Sequence, residues 1–115
     1  MEPREFYRLA TELVKRTDEA ASRTVVSRAY YSALNHVAKI VEGNGVKLPD
    51  DYRFHEVVAD NIGDLSPGLK HQLDYLKNMR GDADYRVWDT WSVDVQDVMN
   101  VARRIISIID EKYSI

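Results

Sequence analysis

The stretch from Glu19 to Glu42 constrains this chain more than any other. Val26, Ala29, Ala33, Val37 and Ile40 recur at steps of three and four residues, which places them on one side of a helix. Asp18 is a cap candidate in front of it, and Gly43-Asn44-Gly45 is a stop behind it, because glycine accepts the left-handed backbone that ends helices. A helix of that length in a chain of 115 residues must be the rod against which the others pack. Tyr30 extends the buried stripe by its spacing. Tyr31, Arg28 and Asn35 fall toward its edges, where a polar end reaches water or a second chain.

Four further helices are predicted around this rod. Glu2-Pro3 opens the first, with the apolar stripe Phe6, Leu9, Ala10 and Leu13, and it should end near Arg16 or Thr17. Phe54, Val57, Val58 and Ile62 outline a shorter third helix, expected to close at Gly63. Ser66-Pro67 then supplies a cap followed by a proline in the first turn, and the fourth helix carries Leu69, Leu73, Leu76 and, at the same spacing, Arg80. Residues 81–91 lose periodicity and read as a frayed end and an aromatic loop. Ser92 should cap the fifth helix, where Val95, Val98, Met99, Ala102, Ile105, Ile106 and Ile109 form the clearest stripe of all. Val101 and Ile108 widen that stripe, a hint of a surface shared with a second copy. With no strand pattern, the expected fold is all-α: a single domain over residues 1–115, an antiparallel up-and-down bundle of four to five helices.

Composition narrows the function classes. Hydrophobic residues at 44% and charged residues at 30% are ordinary for a globular protein, and the absence of cysteine removes disulfides and thiolate metal sites. The formal charge of -3 excludes a strong nonspecific grip on nucleic acid by net charge alone. No apolar run approaches the roughly 20 residues a bilayer requires, and the first residues lack the pattern of a signal peptide, so a cytoplasmic location and no membrane partner are expected.

Glycine-rich phosphate loops, Gly-x-Ser-x-Gly elbows and His-Glu-x-x-His zinc motifs are missing, since Ala59 stands where the second histidine of His55-Glu56 would be. Asp82-Ala83-Asp84 has metal-like spacing but sits at a helix end without further support, and neither metal nor cofactor is expected. The informative residue is Arg80. On a leucine stripe a half-buried guanidinium must find a partner, whether Asp84 one turn on, the Tyr85 phenol, a second subunit or a phosphate. Trp88 and Trp91 read as a plug over the bundle end, with stacking on bases as the alternative.

Arg28-Ala29-Tyr30-Tyr31-Ser32-Ala33-Leu34 on the long helix, His55 opening the third, and Leu76 to Arg80 followed by Ala83-Asp84-Tyr85 together resemble the HEPN domain (higher eukaryotes and prokaryotes nucleotide-binding), in particular its small stand-alone prokaryotic branch. The resemblance spans about Ser22 to Ile109. It implies a helical bundle that commonly dimerises, and members that serve as metal-independent ribonucleases, as toxins of toxin-antitoxin pairs, or as partners of a minimal nucleotidyltransferase. In the ribonucleases an arginine is followed about four to six residues later by a histidine; the arginine stabilises charge on phosphate and the histidine moves the proton of the RNA 2'-hydroxyl.

Arg80 matches that arginine, whereas Asp84, Tyr85 and Arg86 stand where the histidine belongs, and none follows His71. Aspartate, with a pKa of about 3.9, and tyrosine, at about 10, are poor proton shuttles at neutral pH. The expectation is therefore a homodimeric binding or regulatory component of a toxin-antitoxin or defence-type system, with a nucleotidyltransferase-type antitoxin as the candidate partner. Its RNA or nucleotide site should draw on Arg80, Asp84, Tyr85, Arg28 and Tyr31. The alternatives are a ribonuclease toxin with Arg80 and His55 as catalytic candidates, His55 or His71 supplying the proton transfer, and a structural dimeric adaptor.

Overall fold

The computed structural model describes residues 2–16 and 18–113. Five helices follow one another: α1 (Arg4–Leu13), α2 (Glu19–Gly43), α3 (Phe54–Leu65), α4 (Pro67–Tyr85) and α5 (Val95–Tyr113). No strand occurs among the described residues, and the helices form an antiparallel up-and-down bundle. α2 is the axis, touching all four of the others, while α3 and α5 also pack on α4. Its apolar face is sealed: Val25, Val26, Ala29, Ala33 and Val37 have no exposed surface. The two alanines keep the rod thin, so that Leu69, Leu73 and Leu76 of α4 and Val98, Ala102, Ile105 and Ile109 of α5 close on it in one buried cluster.

The caps of α2 are those the sequence predicts. The Asp18 carboxylate accepts from the Ala21 N–H at 3.2 Å, and Gly45 takes φ +93° while Val46 N–H returns to the Val41 carbonyl at 3.4 Å. Elsewhere the boundaries differ. α1 stops at Leu13, short of Arg16, and Thr17 lies outside the described residues. α3 runs two residues beyond Gly63, to Leu65. A Cβ at Gly63 would lie 2.9 Å from the Lys70 side chain, so this glycine lets the first turns of α4 approach and does not end the helix. Ser66 alone joins α3 to α4.

α4 remains helical through Tyr85, and α5 is capped by Asp94, whose carboxylate accepts from Asp97 N–H at 3.1 Å, rather than by Ser92. Val101 retains 9% of its surface and Ile108 packs against the monomer's own core. The breadth of the α5 stripe is thus used within one chain and gives no argument for a second.

α1 is held by polar contacts as well as packing. The Ser32 hydroxyl donates to the Pro3 carbonyl at 2.9 Å, and Arg4 Nη2 donates to both carboxylate oxygens of Asp110 of α5 at 2.7 Å. His36 Nε2 meets the same carboxylate at 2.9 Å. Among the described residues no helix is long and apolar enough to cross a membrane.

Candidate functional site

Arg80 lies where the leucine row of α4 meets the Tyr30-Tyr31 pair of α2, and only 16% of its side chain is exposed. Its guanidinium carbon sits 5.3 Å from the Tyr30 ring centre, 5.5 Å from that of Tyr31 and 5.2 Å from that of Tyr85. Ring faces carry negative potential, so three phenols compensate a charge that the stripe would otherwise expel. Burial works against the charged form, yet the hydrogen bond donated to Tyr85 and the neighbouring Tyr31 and Tyr85 hold the pKa above its ordinary value.

What the cage does not supply is hydrogen bonding. Among the described residues the guanidinium makes one such bond, Nη1 donating to the Tyr85 hydroxyl at 2.9 Å; Asp84 stands at 3.8 Å, and the buried Nε has no partner. A fork of N–H donors held by ring faces, and largely unspent, is prepared for an oxyanion.

From the cage a polar chain runs through buried His55 to the half-exposed Asp74. The Tyr30 hydroxyl is 2.8 Å from His55 Nδ1, and His55 Nε2 is 2.9 Å from Asp74 Oδ1. A carboxylate can only accept, so Nε2 carries the ring proton and Nδ1 accepts from the phenol. Burial pushes the Tyr30 phenol up to about 12, which keeps it the donor. Burial likewise holds His55 below its ordinary value, against the pull of the Asp74 hydrogen bond. A phenol that donates into this relay presents an electron-rich ring to the cation above it.

The pH dependence follows from that depressed pKa. In the unfolded chain His55 takes a proton as pH falls below about 6.5 while the folded chain resists, so the unfolded state binds more protons and stability declines. Melting temperature should therefore drop between pH 7 and pH 5, above the range where carboxylates titrate. His55→Gln, which keeps a donor for Asp74 and an acceptor for Tyr30, should flatten that decline; equal slopes in both proteins would contradict the relay.

Of the residues expected at the site, Arg80, Asp84, Tyr85 and Tyr31 come together. Asp84 is turned partly toward Ser27, whose hydroxyl donates to it at 3.3 Å. Arg28 does not join them directly: its guanidinium lies 5.7 Å from the Phe6 ring, which in turn meets Tyr31 at 6.3 Å. His55 is in the same subunit and one residue removed from Arg80, but both ring nitrogens are engaged and the side chain is buried, so it has no face for a substrate. His71 is exposed and about two and a half turns before Arg80 on α4.

The tryptophans divide: Trp91 is half-buried against the Arg23 guanidinium at 4.5 Å, whereas Trp88 is 79% exposed and plugs nothing. Sequence reasoning missed Asp74 and favoured core and subunit packing for Tyr30 over a place lining a pocket; the signal for the relay was that a buried phenol must find an acceptor.

An open groove of ≈ 420 Å³ runs past Arg80, lined by Lys77, Asn78, Gly81, Asp82, Tyr85 and Arg86. With Arg80 included, three of its side chains are cationic and one is acidic. Among the described residues no three His, Asp or Glu side chains converge as a metal ion would require. Compared with known proteins, the chain matches no family model, no curated protein and no solved structure.

Proposed function

We propose that this chain is a HEPN-like binding component that seats an anionic group of RNA or of a nucleotide against Arg80, as part of a toxin-antitoxin or defence-type system in which a second copy and a nucleotidyltransferase are its partners. The observation that carries the reading is the guanidinium itself: partly buried, held by three ring faces, and with one hydrogen bond made. A purely structural arginine is ordinarily saturated by carboxylates or carbonyls, as Arg23 is in this same bundle. The resemblance of Arg28 to Tyr31 and of Arg80 to Tyr85 to the HEPN motifs supports the choice of ligand.

Binding without cleavage is the better-supported form. A cutting site needs a histidine that can touch the 2'-hydroxyl, and His55 is closed off by Tyr30 and Asp74. The test is a titration of single-stranded RNA and of nucleotides in a chelator-containing buffer, followed by analysis of the RNA. Parent protein should bind and leave the RNA intact, and Arg80→Lys, which keeps the charge and loses the fork, should bind about tenfold more weakly. Metal-free cleavage that Arg80→Lys abolishes would establish the ribonuclease reading instead; equal binding by both proteins would remove Arg80 from the site.

A further inference from the structure

Beyond the groove the chain does something costly. Tyr85, the last residue of α4, and Val87 and Trp88 in the turn after it are 65%, 58% and 79% exposed, and they flank Arg86 of the groove wall in the chain. Trp88 follows Arg86 by two residues, within about 7 Å along the chain. Flat apolar rings beside a row of cations are the two halves of a single-strand binding surface, ring faces for bases and cations for phosphates.

The overall charge of -3 makes the rings the more important half, because long-range attraction cannot supply the affinity. Near the groove Asp82, Asp84 and Asp89 offset the three cations, with Arg86 Nε donating to Asp89 at 2.7 Å and Asp84 3.8 Å from Arg80. Short-range stacking is what remains.

We infer that Trp88 is a stacking shelf for one unpaired base of a single-stranded RNA whose adjoining phosphate lies on Arg80. The inference rests on the Arg80 reading above and adds to it the strandedness of the ligand and the residue that selects it. A base enclosed in a duplex has no free face to offer, so single strands are preferred. The phosphate contribution is confined to the groove cations, so affinity depends only weakly on salt.

The experiment compares a short oligouridylate with a hairpin of the same length, using the parent chain, Trp88→Ala, Trp88→Phe and Arg80→Lys. Trp88 is on the surface, so its replacement does not disturb folding. The shelf predicts that Trp88→Ala weakens oligouridylate binding about tenfold, that Trp88→Phe restores most of it, that the hairpin binds poorly to all, and that log affinity falls with log salt by a slope no steeper than about -2. Unchanged binding by Trp88→Ala, with loss in Arg80→Lys, overturns the shelf and leaves the Arg80 site standing. Full binding by Arg80→Lys overturns the site reading itself. If Trp88→Ala keeps its RNA affinity and sediments as a smaller species than the parent, the patch is a contact between copies and the inference falls.

Discussion

Arg23→Ala should melt roughly 10 °C below the parent chain. The guanidinium is buried, and each of its nitrogens is assigned: Nη1 donates to the Asp82 and Ala83 carbonyls at 2.8 and 3.1 Å, Nη2 reaches the Asp89 carbonyl at 3.4 Å, and Nε pairs with Glu19 at 3.0 Å. Its face covers the Trp91 ring. Those carbonyls belong to the last turn of α4 and the turn after it, where no further helical N–H arrives to satisfy them. Removing the side chain strands them away from water and opens space under Trp91, a cost of about 2–3 kcal/mol. For a domain of this size each kcal/mol corresponds to about 4 °C. Thermal melting followed by circular dichroism measures it, and a loss smaller than about 3 °C would show that water replaces the clamp.

The second large effect is one of function against stability. Arg80→Met should abolish anion binding while leaving the melting temperature within about 2 °C of the parent or above it. Methionine continues the Leu69, Leu73, Leu76 row, fills similar volume and needs no hydrogen bonds. The cation contributes ring contacts worth about 0.5–1 kcal/mol each, but it is withdrawn from water with one bond in return, so the exchange is close to even. A stabilising lock would behave in the opposite way. Should Arg80→Met melt 8 °C lower and still bind, the cluster holds the bundle together and the ligand is elsewhere.

These two arginines also show what could be read from residues alone. Arg80 was legible because it violates a periodicity, and a charge at an apolar position announces itself in one dimension. Arg23 was not, since its carbonyl partners are some sixty residues away and backbone groups leave no signature in a sequence. The same blindness explains why residues 81–85 read as frayed although they are helical: the clamp that keeps that turn wound is tertiary. Gly63 looked like a terminator because local rules treat glycine as a breaker, while here its missing Cβ serves the approach of Lys70. His55 was visible as a candidate, but its commitment to Tyr30 and Asp74 depends on how α3 packs against α2 and α4.

The position of Tyr30 has a consequence for motion. Its ring is part of the central core, 2% exposed, so amide exchange there must wait for the whole bundle to open, whereas Tyr85 and Trp88 stand at a solvent-washed chain reversal. One wall of the arginine cage is therefore fixed by the core, and the opposite wall, Tyr85, stands in solvent at the end of α4. On the proposed reading, an anion would meet a fixed bed on one side and a solvent-facing ring on the other.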